Sequence, residues 1–354
     1  MNPRLKAIVK ILLFPCVLVR RKVLSWRNAP ERQVKKLYEY DCAQFVKHSG
    51  ALHCQTREQL LAKIILSYHV VEKGLSMPRR RLDFGHGAVL GLMGLIRDFE
   101  QKYGAGDPQV DYAASVILSY KNVHDELGCK LSDEDFRHAL EAFCRQKCAV
   151  QPAPQLLFTR ESFFAHVESP FPEFARSRHS CRHFEGVVAN EVICHAVELA
   201  MTTPSACNRQ HWRVHCISDH TVRDAIFDIQ KGKGNRGFGE DADKLLVVTS
   251  DLQDAQWIEE RNDAFVNGGM FLMNLSYALH YFKVAHCILN GSVSVDGDHA
   301  IHRCANIPLP ERIVGMIACG NAPLTFPVAP SKRKDFKTIL TFHDKERQNK
   351  NREP

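Results

Sequence analysis

Pro204-Ser205-Ala206-Cys207-Asn208-Arg209-Gln210-His211-Trp212 joins two segments of different periodicity. Before it, Asn190 to Thr203 spaces Val192, Ile193, Ala196, Val197, Leu199 and Ala200 at three and four residues, predicting an amphipathic helix capped by Asn190. After it, Arg213 to Ile217 reads as a strand. Pro204 ends the helix because it has no N–H to donate and its ring crowds the preceding turn. Ser205, Asn208 and Gln210 then supply neutral donors and acceptors. Taken alone, they also fit an ordinary polar loop.

The alternation continues outward. Thr221 to Gln230 predicts a short helix, and Lys244 to Thr249 a strand buried on both faces. Asp263 to Phe282 predicts a long apolar helix opening near Gly268-Gly269, and Val284 to Leu289 and Arg312 to Ala318 complete the strands. This order, with its heavily buried central helix, implies an α+β domain. No G-x-G-x-x-G follows a strand, so the dinucleotide-binding fingerprint is absent. Gly232, Gly234, Gly237 and Gly239 lack its spacing.

Three further segments carry chemistry. Arg178-His179-Ser180-Cys181-Arg182-His183-Phe184 places two guanidinium groups around a hydroxyl, a donor set suited to a phosphate monoester, although a basic surface turn has the same composition. Ile288-Leu289-Asn290-Gly291 ends a buried strand in a turn where glycine permits close approach. Pro330-Ser331-Lys332-Arg333-Lys334-Asp335-Phe336 is a second basic cluster, able to complete a phosphate cradle or simply to lie solvated near the chain end.

In combination, R-H-S-x-R-x-F, P-S-x-x-N-x-Q-x-W, the G-G-x-x-x-x-N-L helix (Gly268-Gly269 to Asn274-Leu275), the G-M-I-x-x-G strand end (Gly315 to Gly320) and the K-x-K cluster resemble the FMN-dependent nitroreductase superfamily over residues 173–342. The resemblance implies a nitroreductase-like fold, with a central mixed sheet flanked by helices, bound FMN, and NADH or NADPH as reductant of an oxidised acceptor in two half-reactions. It implies FMN contacts from Arg178, His179, Ser180 and Arg182, and phosphate contacts from Lys332, Arg333 and Lys334. It also implies a homodimer in which Pro204, Ser205, Ala206, Asn208 and Gln210 reach the flavin of the other subunit. Asn290-Gly291 falls where the family often has an acidic residue before Gly, a departure at the flavin N5 edge. Phe238 falls where many members place an aromatic over the flavin. No side chain is nominated as a nucleophile or general base, since the cofactor carries the chemistry.

Residues 31–150 read as mainly helical, with apolar residues at three and four in VKKLYEYDCAQFVKHS, REQLLAKIILSYHVVEKG and ILSYKNVHDELGC. Gly74 is expected to stop the second of these. Residues 151–172, with Pro152, Pro154, Pro170 and Pro172, read as a linker, and 343–354 as a disordered tail. Residues 67–87 concentrate Tyr68, His69, Glu72, Lys73, Arg79, Arg80, Arg81, Asp83 and His86. The E-K-G-L…F-G pattern there resembles nitroreductase-like proteins of bacterial surface-polysaccharide gene clusters, implying a small-molecule or glycan-conjugate acceptor. The plainer reading is a cap whose charges pair with one another.

The net charge is +7, and before Glu31 every charged residue is basic: Arg4, Lys6, Lys10, Arg20, Arg21, Lys22 and Arg27. Between them, Ile11 to Val19 is apolar but far short of the roughly 20 residues of a spanning helix. A basic segment with an apolar centre suits the inner face of a membrane, so residues 1–30 point to peripheral contact by a cytoplasmic protein; a docked terminal helix is the alternative. The 13 cysteines form neither a disulfide frame nor a metal-ligand pattern, and no motif supports nucleic-acid binding. Two function classes remain: a flavin-dependent oxidoreductase, and a flavin-binding, redox-silent accessory protein of an envelope biosynthesis complex.

Overall fold

The structure, a computed structural model, describes residues 29–230 and 237–343. The basic segment before residue 29, Gly232, Gly234 and the tail from 344 lie outside the described residues.

In chain order, the helices α1 (Pro30–His48), α2 (Arg57–Leu75), α3 (His86–Tyr103), α4 (Pro108–Glu126) and α5 (Glu134–Gln146) come first. Strand β1 (Leu156–Thr159) and the short helices α6 (Arg160–Phe163) and α7 (Phe171–Ser177) follow. Then come α8 (Asn190–Ala200), β2 (Trp212–Ile217), α9 (His220–Ile229), β3 (Lys244–Asp251), α10 (Asp263–Tyr281), β4 (Ala285–Asn290), α11 (Val295–Cys304), β5 (Glu311–Gly320) and β6 (Thr325–Val328). No helix among the described residues is long and apolar enough to cross a membrane.

Two compact units draw on interleaved stretches of chain. Among the described residues, a sheet unit takes in 29–52, Phe164–Arg178 and the described part of Phe184–Asn321; a helical unit takes in His53–Phe163, His179–His183 and 322–343. The stretch 173–342, read as one segment from sequence, contributes to both.

In the sheet unit the strands run in the order β2-β3-β5-β4. The α+β class is as expected, but where a mixed sheet was anticipated every pairing is antiparallel. β3 is buried from Lys244 to Ser250, which its unbroken apolar run requires. α10 and α8 cover one face: Phe271, Leu275 and Leu279 pack with Ile193, Ala196, Leu246, Val248 and Ile317. Trp212 stacks on Phe271 with ring centroids 4.9 Å apart. Gly268 lies inside α10, not at its start, and a Cβ there would meet Val314 at 2.5 Å. Asn190 does not cap α8: Ala189 occupies the cap position without a side-chain bond.

The helical unit forms around α2, whose Leu60, Leu61, Ile64, Tyr68, Val71 and Leu75 point into one core with Val89, Leu92, Met93, Ile96, Ile117 and Tyr120. Thr56 and Gln59 close a reciprocal capping box at its start. Gly74 does not stop the helix, which runs on to Leu75; it makes room for Phe84, whose ring would lie 2.3 Å from a Cβ at that position. The proline-rich stretch 151–172 is more than a connection. Its four-residue β1 pairs antiparallel with β6 in the register Leu156–Val328 to Thr159–Thr325.

Candidate functional site

In the sheet unit, the 204–210 loop is held from below by two asparagines on the mainly apolar α10. Asn274 Nδ2 donates to the Ala200 carbonyl (3.1 Å) and to Thr203 Oγ1 (2.8 Å). Asn267 Oδ1 accepts from the Ala206 N–H at 3.0 Å, and its Nδ2 donates to the Asp263 carbonyl at 2.9 Å. Cys207, Asn208 and Gln210 adopt φ of +49°, +55° and +53°, the left-handed region that ordinary residues enter only when held there. Here the Gln210 N–H donates to Ser205 Oγ (3.0 Å), and Gln210 Nε2 donates to the Asn208 carbonyl (3.2 Å).

The one cation of the loop is neutralised. Arg209 donates to both carboxylate oxygens of Glu260, at 2.8 and 2.5 Å, and to the Asp254 carbonyl at 2.7 Å. The Arg209 hydrogen bond, with the Gln256 N–H, pulls the Glu260 carboxyl down to about 2. The loop therefore presents amide and hydroxyl groups without net charge. Sequence reading placed Asn274 in the G-G-x-x-x-x-N-L motif without giving it a role and did not single out Asn267 or Glu260; the spacing of the two asparagines, seven apart on one helix, was the available signal.

Asn290 is exposed at the end of β4, and its carbonyl accepts from Gln230 Nε2 at 2.5 Å. A Cβ at Gly291 would lie 3.1 Å from the Val314 carbonyl oxygen, so the close approach of β5 already accounts for glycine there. Pro204 is exposed, and Ser205 and Ala206 are half-buried. Arg178, half-buried, follows α7. His286 is fully buried; burial first, and the Arg178 charge in addition, push its imidazole down to about 4. Phe238 is not presented to a site: it is wholly buried, with its ring 6.2 Å from that of Phe184.

The remaining basic residues belong to the helical unit. Arg182 and His183 are buried, and His183 Nε2 donates to the Ser76 carbonyl at 2.8 Å, just past the end of α2. His179 packs its ring 5.4 Å from Phe158, and Ser180 is half-buried beside it. The second basic segment meets the same helix one turn earlier. The Ser331 N–H donates to Glu72 Oε1 at 3.2 Å, and Glu72 is 3% exposed. Tyr112 Oη donates to the same oxygen at 2.6 Å, and His69 Nδ1 to the other at 2.9 Å. Gln109 Nε2 donates to the Arg333 carbonyl at 3.2 Å, and Gln109 Oε1 accepts from Tyr68 Oη at 2.8 Å. Burial and the Glu72 charge push Tyr68 up to about 12, partly opposed by Arg333; burial and the Glu72 hydrogen bond raise Tyr112 further.

Lys332, Arg333 and Lys334 are exposed, and none forms an ion pair with a carboxylate among the described residues. The Lys332 ammonium sits over the Tyr112 ring at 5.9 Å. Since α2 rises about 1.5 Å per residue, the anchors at Glu72 and Ser76 lie roughly 6 Å apart along its axis. The two segments that carry His179, Ser180, Arg182 and residues 332–334 are thus each anchored at the C-terminal end of α2, through His183 and Ser331. Their hydroxyl, guanidinium and ammonium donors match what a phosphate monoester needs.

Residues 175–237, which include the first basic segment and the 204–210 loop, match the Nitroreductase family model. A search of curated proteins returns no match. Among solved structures, a nitroreductase family protein from Streptococcus pneumoniae is 19% identical, with 49% of this chain and 100% of that one aligned at a TM-score of 0.42. An FMN-dependent nitroreductase from Clostridium difficile is 16% identical over 48% and 98% of the two chains, with a TM-score of 0.39. A protein from Exiguobacterium sibiricum crystallised in complex with FMN is 15% identical over 49% and 98%, with a TM-score of 0.44.

Proposed function

We propose that this chain is an FMN-dependent oxidoreductase that takes reducing equivalents from NADH or NADPH and delivers them to an oxidised acceptor in two half-reactions. One observation carries the reading: two basic segments about 150 residues apart in sequence are anchored a single turn apart on α2, and Lys332, Arg333 and Lys334 form no ion pair among the described residues. The Nitroreductase match over 175–237 supports the same conclusion independently.

His179, Ser180, Arg182, Lys332, Arg333 and Lys334 would hold the FMN phosphate, with Arg178 from the same motif. Pro204, Ser205, Ala206, Asn208 and Gln210 would line the ring, and Asn290-Gly291 its N5 edge. Bound FMN supplies the hydride-accepting and hydride-donating chemistry. The protein's part is to bind, orient and tune. The Arg209–Glu260 pair cancels the only cation in the ring loop, leaving neutral partners that tolerate a change of charge on the group they touch.

By resemblance, the ring loop would reach the flavin of a partner subunit in a homodimer. Phe265, Val266 and Met270 on α10 are 41–57% exposed, an apolar surface that a second copy would cover. The acceptor is a small molecule or a glycan conjugate. The setting is cytoplasmic, with residues 1–30 against the inner membrane face and a role in surface-polysaccharide biosynthesis.

The test is the chromophore itself. Purified protein should be yellow, should release FMN on denaturation, and should bleach on anaerobic mixing with NADH or NADPH. Colour that persists after mixing would favour the redox-silent accessory protein. A colourless protein that takes up no added FMN would reject both.

A further inference from the structure

The helical unit contains a buried carboxylate that no helix needs. Glu72 sits on α2 at 3% exposure, in the row of Tyr68, Val71 and Leu75 that otherwise builds the core. A buried carboxylate is costly unless hydrogen-bonded, and this one accepts from Tyr112 Oη, His69 Nδ1 and the Ser331 N–H. The third donor is the informative one. It belongs to the backbone of the basic turn, at a residue whose φ is +54°.

The bonds from α2 and α4 to this turn are made to its backbone. Glu72 takes the Ser331 N–H, and Gln109 donates to the Arg333 carbonyl. The Lys332, Arg333 and Lys334 side chains are left exposed. Arg333 Nη1 closes the turn on the Ser331 carbonyl at 3.2 Å. Tyr68, bonded to Gln109, and Tyr112, bonded to Glu72, complete a polar strip beneath it, their rings 5.3 Å apart and edge-on. One turn along α2 the Ser76 carbonyl holds His183, and Ser76 Oγ donates back to the Glu72 carbonyl at 3.2 Å.

We infer that Glu72 is a positioning residue for phosphate binding: its carboxylate fixes the 331–334 turn so that the three cations face the same anion as the 179–182 segment. The helical unit is then a structural part of the cofactor site and not an appendage to it. The inference rests on the FMN reading above. The negative charge of Glu72 is spent on fixed donors and does not compete for the cations, none of which pairs with it.

The experiment compares FMN with riboflavin, which lacks the phosphate, by fluorescence titration of the full-length protein. Glu72→Leu should raise the FMN Kd by about 10- to 100-fold, the loss expected when a charge-assisted anchor goes, and leave the riboflavin Kd unchanged. Glu72→Gln, which can still accept from Ser331 and Tyr112, should recover most of the FMN affinity. If Glu72→Leu does not fold, Gln109→Ala and hydrogen exchange at Ser331 take its place. Gln109→Ala should weaken FMN selectively, and the wild-type Ser331 amide should exchange more slowly than those of Lys332 and Lys334. Wild-type protein that prefers FMN, with variants that keep that preference, overturns the inference alone. Equal loss of FMN and riboflavin affinity also overturns it, because that is general destabilisation. Wild-type protein that binds neither flavin overturns the function proposal as well.

Discussion

The backbone N–H of Ser331 donates to the buried carboxylate of Glu72 across 259 residues of sequence. That bond belongs to a larger exchange, in which residues 322–343 fold with the helices of the first half of the chain. β6 completes a two-stranded sheet with β1, and Phe326, fully buried, lies 5.0 Å from Phe163 and 5.9 Å from His183.

Phe326→Ala should therefore destabilise the helical unit. Truncating a buried Phe costs about 3–5 kcal/mol in transfer and cavity terms. Chemical denaturation followed by circular dichroism should show the midpoint falling accordingly. A change below about 1 kcal/mol would mean that β6 is not part of the core.

Gly74→Ala tests two opposed effects. In a helix interior the change normally gains about 1 kcal/mol of propensity. Here the added methyl meets the Phe84 ring at 2.3 Å, and overpacking of that kind costs about 1–3 kcal/mol. The clash should win, lowering Tm, and Gly74→Ala/Phe84→Leu should restore it. A rise in Tm for the single variant would contradict the packing described for α2.

His286 sets an acid limb of stability. Its imidazole is fully buried and drops from 6.5 to about 4. The folded state thus binds fewer protons than the unfolded one. The stabilisation is complete above about pH 6.5 and disappears as pH falls toward 4, a loss of ~3 kcal/mol. His286→Gln, which does not titrate, should show a flatter dependence of unfolding free energy across that window. Parallel profiles would place the acid limb elsewhere.

Asn267→Ala should loosen the ring loop without unfolding the sheet. It removes the acceptor of the half-buried Ala206 N–H, a bond worth about 0.5–1.5 kcal/mol. Amide exchange across residues 206–210 should accelerate while β3 stays protected. Unchanged exchange would show that the left-handed backbone at 207–210 is held by its internal bonds and Arg209 alone.

Local pattern revealed much of the fold. β3 announced itself as an unbroken apolar run and α10 as a long apolar helix, and both appear within two residues of expectation. β1 did not, because four residues among prolines gain strand character only from a partner about 170 positions away. Gly74 reads as a helix stop until Phe84 is seen against it. The site shows the same division. Basic and neutral polar clusters are visible as composition, whereas the positive φ values at 207, 208 and 210, the hold of Asn267 on Ala206 and the anchoring of 331 by Glu72 depend on the folded backbone. Glu72 stood out only as one charge among many in residues 67–87.

The account turns on recognition of one phosphate by the cations of the helical unit. The direct measurement is the ratio of riboflavin to FMN dissociation constants for wild type and for Lys332→Ala/Lys334→Ala. Both lysines are exposed and form no ion pair among the described residues, so the variant should keep its fold. The wild type should prefer FMN, and the double variant should lose about 1.5–3 kcal/mol of that preference for each contact removed, with riboflavin binding unchanged. Equal affinity of the wild type for the two flavins, or a double variant with the full preference for FMN, would contradict it.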